Sequence, residues 1–315
     1  MKVLVTGATG YVGRRVVERL GQEGVAVTAL VRRAETPVPA NVRTAVGDLT
    51  ESPGLEHALR GMDAVVHCAA HLGAGNRECH RRVNVAGTAA MLRAAVRSGV
   101  RRFVHMSSIA VYARQERSAV VHPETEPDPY PELRDDYAWS KIHAERWVEV
   151  YRQRGLVDAV VLRPGIVYGR GRDFLARVWR RVAGPVRVIA GSPRMRLPLV
   201  HLDDLSDAVW RAVSVSHAPS TPLNVVGAEQ PSQAEYLRMR ASWCAERIAA
   251  VYVPLTAVRW GARWRAEHSR LHLRNRRSRL YSLAWIAQEA RYDTGATERE
   301  LSWTARVPVA EGLAL

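Results

Sequence analysis

The strongest constraint on the fold lies in the first residues. A short apolar run, Val3-Leu4-Val5, leads into Gly7-Ala8-Thr9-Gly10-Tyr11-Val12-Gly13 and then into Val16, Val17 and Leu20 at helical spacing. The order is strand, tight turn, helix. In a G-x-x-G-x-x-G turn of this kind Gly7 supplies the bend, Gly10 lets backbone approach a pyrophosphate, and Gly13 lets the helix pack on the strand. The helix start offers unpaired N–H groups and a positive dipole end to phosphate. A strand before the glycines and a helix after them distinguish a nucleotide cradle from a plain turn. Thr9, Tyr11 and Val12 fill out that cradle.

Apolar runs and helical patterns then alternate. Strands are predicted over residues 25–31, 42–46, 64–70, 102–106 and 159–162, and helices over 55–59, 83–98 and 137–154. Near-continuous apolar strands separated by helices predict a parallel sheet covered on both faces, an α/β fold. Ligands bind such sheets outside the carboxyl ends of the strands. Gly7, Arg32, Asp48, Ala69, Ser108 and Pro164 all fall at such ends.

A second signal is the pair Tyr137 and Lys141. The chain has 46 Lys and Arg residues, but only Lys2 and Lys141 are lysines. Lysine is thus retained where a compact, rotatable ammonium is needed and a planar guanidinium does not fit. Four residues apart on a helix, the phenol and the ammonium share a face. A nearby cation lowers a phenol's pKa, so Tyr137 is expected to exchange protons at neutral pH.

With these residues stand Gly47-Asp48-Leu49, His67-Cys68-Ala69-Ala70, Asn84-Val85-Ala86-Gly87-Thr88, Ser107-Ser108 followed by Tyr112, Leu162 to Gly169, and Val200-His201-Leu202-Asp203-Asp204. In order and spacing they resemble the extended short-chain dehydrogenase/reductases, often called the NAD-dependent epimerase/dehydratase family. The resemblance covers about residues 1–230. It implies a Rossmann-type doubly wound sheet over 1–169, with 198–228 returning to it. Residues 170–197 and 229–315 are then a smaller C-terminal cap over the substrate.

The same resemblance implies roles. Ser108, Tyr137 and Lys141 form the catalytic group, Ser108 rather than Ser107 because it stands four before Tyr112. Ser108 polarises the substrate carbonyl, Tyr137 passes the proton, and Lys141 holds the nicotinamide ribose. Asp48 and Leu49 lie near the adenine, and Ala69 and Ala70 beside the nicotinamide ribose. Pro164, Ile166 and Val167 line the nicotinamide pocket. Asn84 either supports the site or caps the helix that begins there. Family members often dimerise through the helices near 84–98 and 137–154, so a homodimer is expected.

Cofactor choice rests on the second strand. Where NAD-type members carry an acid for the ribose 2′-OH, this chain has Val31, followed by Arg32 and Arg33. Losing the acid removes an anchor for NAD and a repulsion against a 2′-phosphate, and guanidinium suits phosphate. NADP (as NADPH) is favoured, with NAD the alternative.

Departures from the family narrow the reaction. Ile109 and Ala110 replace the Asp-Glu of a sugar 4,6-dehydratase, and Ile166 and Leu197 replace an Asn and an Arg that meet a nucleotide-sugar diphosphate. Arg194 and Arg196 lie near enough to compensate. The expectation is a carbonyl reductase or secondary-alcohol dehydrogenase for a hydrophobic small molecule, resembling the hydroxysteroid-dehydrogenase-like and flavonol-reductase-like members. A nucleotide-sugar epimerase with tightly held NAD is the alternative, and a non-catalytic NADP-binding sensor a lesser one. Trp179, Trp243, Trp260, Trp264 and Trp285, with Tyr252, Leu255 and Leu271, suggest an aromatic-lined cap.

The remaining features are bland. A net charge of +15 raises a nucleic-acid partner, but arginine is spread throughout and no nucleic-acid motif accompanies it. The basic cluster Arg270, Arg274, Arg276, Arg277 and Arg279 is read as solvated surface, and no nucleic acid is expected. Three cysteines make no disulfide framework and no Cys/His cluster has metal-ligand spacing, so no metal is expected. Neither a secretory leader nor a membrane span is expected, which suggests a cytoplasmic protein.

Overall fold

The computed structural model describes residues 1–51, 53–72, 76–116, 118–170, 180–244, 247–254, 256–257 and 289–314. In chain order the elements are β1 (Lys2–Thr6), α1 (Tyr11–Gln22), β2 (Ala26–Val31), β3 (Arg43–Val46), α2 (Pro53–Leu59), β4 (Ala64–His67), α3 (Arg77–His80), a π-helical stretch (Arg81–Ala86), α4 (Gly87–Arg97) and β5 (Arg102–Met106). Then come β6 (Val120–Val121), α5 (Asp136–Gln153), β7 (Asp158–Pro164), β8 (Ile166–Tyr168), β9 (Arg180–Ala183), β10 (Val186–Ala190), β11 (Leu199–His201), α6 (Leu202–Ser214) and β12 (Leu223–Val225). The remainder is α7 (Gln233–Cys244), β13 (Ala249–Val253), β14 (Arg291–Tyr292), α8 (Gly295–Leu301) and α9 (Val309–Ala314).

Seven strands form one parallel sheet in the order β12-β7-β5-β4-β1-β2-β3. The order reverses at β1, whose neighbours are β2 and β4. Such a switch point opens a crevice at the carboxyl ends of the strands. Alternate residues feed two cores. Val3 and Val5 pack with Val16, Leu20, Leu205 and Val209 of α1 and α6, whereas Leu4, Val65 and Phe103 pack with Met91, Leu92 and Val148 of α4 and α5. This two-sided burial is why the strands read as unbroken apolar runs.

Smaller sheets pair β9 and β13 with β10, β8 with β11, and β6 with β14. Ile166, Tyr168, Ile189, Leu197, Leu199 and Tyr236 form a further apolar cluster. No helix among the described residues is long and apolar enough to cross a membrane.

Two sequence expectations need correction. The fourth strand ends at His67, three residues early, because Ala69 N–H leaves the ladder and donates to Thr6 Oγ1 at 3.1 Å. The helix expected from residue 83 begins at Arg77, capped by Asn76, whose side chain accepts from Cys79 N–H at 3.1 Å. Asn84 is therefore no cap; it sits inside the π-helical stretch.

Candidate active site

The cradle is built from close backbone contacts. Gly7 has φ +68°, and a Cβ there would stand 2.8 Å from the Ala69 backbone. A Cβ at Gly13 would stand 2.1 Å from the Gly7 carbonyl oxygen, so β1 and α1 touch through bare backbone. Gly10 N–H donates to Gly7 O at 2.9 Å and closes the turn. No side chain caps α1 at Gly10, so the amides of its first turn face outward at the crevice with the helix dipole behind them. Thr9 is exposed there, and Tyr11 and Val12 are half-buried. These residues fit a dinucleotide: the three glycines keep side chains out of the close approaches at the start of α1, which leaves backbone amides to meet a pyrophosphate.

Arg32 and Arg33 follow β2 and are both exposed. Val31, before them, is buried and its carbonyl accepts from Gly47 N–H at 2.9 Å. Asp48 turns onto its own loop, accepting from Thr50 N–H at 2.8 Å and Thr50 Oγ1 at 2.9 Å. The Thr50 amide holds its carboxyl below the usual range, with Arg32 and Arg82 adding to the effect. Leu49 is buried against Gly87.

A buried chain of hydrogen bonds leads from the cradle to α5. Thr88 Oγ1 donates to the Asn84 carbonyl at 2.6 Å, so it accepts from His67 Nε2 at 3.0 Å. His67 Nδ1 then accepts from Thr6 Oγ1 at 2.9 Å, whose oxygen in turn accepts from Ala69 N–H. The donors fix one neutral tautomer. Burial pushes His67 down to about 3, with Lys141 contributing, so the ring stays neutral. Asn84 continues the path: its Nδ2 donates to Ser140 Oγ at 2.9 Å, and Ser140 Oγ donates to the Tyr137 carbonyl at 2.8 Å. Sequence reasoning singled out neither Thr6 nor Ser140.

The two serines after β5 separate cleanly. Ser107 Oγ donates to Glu145 at 2.6 Å. Glu145 is in a buried ion pair with Arg163, whose Nε donates at 2.9 Å and whose guanidinium lies 4.7 Å over the Tyr112 ring. Ser108 instead opens a 3-10 turn, accepting from Ala110 N–H at 3.1 Å, and its hydroxyl interacts with the Tyr137 phenol.

Asp135 caps α5, accepting from Ala138 N–H at 3.0 Å, which starts the helix so that Tyr137 and Lys141 lie one turn apart on one face. Lys141 Nζ lies 5.9 Å from the Tyr137 ring centroid and donates to the Met106 carbonyl at 2.7 Å. Burial pushes the Tyr137 phenol up to about 12, opposed by Ser108, and pulls Lys141 down to about 8. The expected acidic phenol is thus corrected. Desolvation dominates the phenol's shift, and the Lys141 ammonium directs its hydrogen bond to the Met106 carbonyl rather than to the phenol.

Pro164 ends β7, and β8 follows after Gly165. Ile166 and Val167 alternate: Ile166 enters the cluster with Tyr168 and Leu199, and Val167 packs on the α1–α6 side. Ile109, Ala110 and Leu197 are buried apolar residues. Arg196 Nη1 is committed to the Gln230 carbonyl at 2.8 Å, while Arg194 is exposed. Of the aromatic cap set, Trp243 is exposed and Tyr252 half-buried. Trp179, Leu255, Trp260, Trp264, Leu271, Trp285 and the basic cluster lie outside the described residues.

Comparisons with known proteins agree with this architecture. The model of the NAD dependent epimerase/dehydratase family matches residues 3–226. The chain is 31% identical over 279 residues to a Mycobacterium tuberculosis 3 beta-hydroxysteroid dehydrogenase/Delta 5-->4-isomerase, covering 82% of this chain and 74% of that one. It is 31% identical over 245 residues to a UDP-glucose 4-epimerase of Vibrio cholerae, covering 75% and 74%. A solved structure of MoeE5 in complex with UDP-glucuronic acid and NAD superposes with TM-score 0.76 at 27% identity, covering 100% of this chain and 97% of that chain.

Proposed function

Since the chain belongs to the NAD-dependent epimerase/dehydratase family, we propose that it is a nicotinamide-dependent oxidoreductase interconverting a carbonyl and a secondary alcohol, with NADP preferred. The observation that carries this reading is the meeting of Ser108, Tyr137 and Lys141 at the carboxyl end of the sheet, around a phenol that holds its proton. A phenol protonated at neutral pH is a proton donor, which suits reduction.

A nicotinamide held in the cradle would supply the hydride for the carbonyl carbon. Tyr137 gives its phenolic proton to the carbonyl oxygen, and Ser108 Oγ–H hydrogen-bonds that oxygen as charge develops on it. The Lys141 ammonium, anchored on Met106, stabilises the phenolate left behind. Gly7, Gly10 and Gly13, with Thr9, Tyr11 and Val12, hold the pyrophosphate. Arg32 and Arg33 take the 2′-phosphate, Asp48 and Leu49 border the adenine, and Ala69, Ala70, Pro164, Ile166 and Val167 enclose the nicotinamide. Residues 170–197 and 229–315 form the substrate cap. A homodimer through α4 and α5 belongs to the same reading, supported by Trp147 on α5, 42% exposed.

The second reading, a nucleotide-sugar epimerase, is favoured by the likeness to a UDP-glucose 4-epimerase and to a structure in complex with UDP-glucuronic acid and NAD. Against it stand the buried apolar Ile166 and Leu197 and the commitment of Arg196 to a backbone carbonyl. The deciding experiment is to denature the purified protein and identify any nucleotide released. No retained nucleotide, with NADPH bound more tightly than NADH, supports the reductase. Near-stoichiometric NAD overturns it in favour of the epimerase.

A further inference from the structure

Two histidines stand beside Tyr137 that the proton relay leaves unused. His71 follows Ala70, and Asn84 pins its backbone from both sides: Oδ1 accepts from His71 N–H at 2.6 Å and Nδ2 donates to its carbonyl at 3.2 Å. His80 ends α3 and is 4% exposed. The two rings meet edge to face with centroids 4.7 Å apart, and His80 meets the Tyr137 ring in the same way at 6.5 Å. The three rings form a row that ends on the phenol.

Among the described residues, His71 Nε2 and His80 Nδ1 are buried with no hydrogen-bond partner. His71 itself is half-buried; His67, as buried as His80, has both ring nitrogens bonded, whereas the buried His105, like the pair, does not. A buried polar atom left unpaired carries an uncompensated desolvation penalty, so an unpaired pair standing against a reacting side chain calls for another use. Next to a reacting group, that use is a ligand atom.

The chemistry of the pair narrows the ligand. Burial keeps His80 below its ordinary value, with His71 pushing the same way and Asp136 and Asp135 opposing. A neutral imidazole carries one N–H and one lone pair. The unpaired His80 nitrogen can accept while the His71 ring beside it turns an N–H outward, so the two together offer one donor and one acceptor. A hydroxyl uses both. A carboxylate or phosphate needs two donors and meets the field of Asp135 and Asp136, and an apolar ring uses neither.

We propose that His80, backed by His71, is a specificity-determining residue of the Tyr137 site, and that it selects substrates bearing a hydroxyl on the carbon next to the reacting carbonyl. The inference rests on the reductase reading for the place of the carbonyl, not for the place of the hydroxyl.

Benzoin and deoxybenzoin test it, since they differ only in that α-hydroxyl. With the full-length, NADPH-loaded enzyme, kcat/KM for benzoin should exceed that for deoxybenzoin roughly tenfold or more, as for a site that pairs a substrate hydroxyl. His80→Phe should bring the ratio to about one, and His80→Asn should keep part of it. Equal values in the parent enzyme, or a fall in both ketones with the ratio intact, would overturn the proposal and leave the reductase reading standing. If neither ketone is reduced, the readout is the ring-nitrogen NMR signals of His71 and His80 in the NADP-loaded protein. A shift with benzoin and none with deoxybenzoin supports the histidine assignment while the reductase reading fails. No shift with either overturns the assignment.

Discussion

Lys141 Nζ donates to the Met106 carbonyl oxygen at 2.7 Å, tying the ammonium beside Tyr137 to the end of β5. Burial holds Lys141 near 8 and Tyr137 near 12. At pH 7 both are below their pKa values, so the amine is charged and the phenol protonated. Rising pH removes the Lys141 proton first, while the phenol keeps its own. Carbonyl reduction should therefore be level below about pH 8 and fall about tenfold per pH unit above it. In Lys141→Arg, which cannot lose its proton in this range, that limb should vanish from the profile of kcat/KM against pH, at a lower overall rate. Survival of the limb in the variant would assign it to another group.

Ser107 and Ser108 are adjacent, yet their loss should be felt in different measurements. Ser108→Ala removes the hydroxyl facing Tyr137 and should lower kcat by about 100-fold with little change in thermal stability. Ser107→Ala leaves the buried Glu145 with one donor fewer and should cost about 1–3 kcal/mol of stability in urea unfolding. The reverse pattern would exchange the two assignments.

His67 makes the fold sensitive to mild acid. Its folded pKa is near 3 and its unfolded value near 6.5. As pH falls from 6.5 towards 5 the unfolded chain takes a proton that the folded His67 refuses, so stability present above 6.5 is progressively lost. The slope is about 1.4 kcal/mol per pH unit for each such histidine. His105, also held well below its ordinary value by burial, acts in the same direction. His67→Gln should lower stability at pH 7 and make the loss between pH 6.5 and 5 shallower, as measured by urea midpoints. An unchanged slope would refute the linkage.

Replacing both Arg32 and Arg33 by alanine should weaken NADPH binding about tenfold and leave NADH binding nearly unchanged, because a guanidinium–phosphate contact contributes roughly 1.5–3 kcal/mol. Equal losses for both nucleotides in calorimetric titration would show that neither arginine meets the 2′-phosphate.

The sheet was legible because its strands are buried on two faces, so Val3-Leu4-Val5 and Ala64-Val65-Val66 read as unbroken apolar runs. Gly7, Gly10 and Gly13 were legible because a backbone approach leaves one residue type. Other features depend on contacts that spacing does not encode. The π-helical stretch resets the helical register ahead of Asn84, and nothing in Arg81–Ala86 advertises it. Glu145 and Arg163 look like surface charges until β7 and α5 bury them together. His80 meets Tyr137 only because α3 packs on α5. Each ring alone looks like an ordinary buried aromatic. Spacing misleads about the Tyr137 shift for a related reason: it brings Lys141 close but says nothing about the burial of the phenol or the Met106 carbonyl that the ammonium reaches.

The backbone contact between Gly7 and Gly13 has a consequence for how enzymes of this build diverge. Main-chain atoms are the same whatever the gene encodes, so substitution in the cradle can only subtract grip and never retune it. Variation that survives must act elsewhere, and the strand order offers two separate places. One is the end of β2, where Arg32 and Arg33 stand; the other lies past β4, where His71 leads towards His80. β1 runs between them. On the proposed assignment of these two ends, a lineage can therefore exchange its coenzyme without revising the alcohol it recognises, and the reverse holds equally.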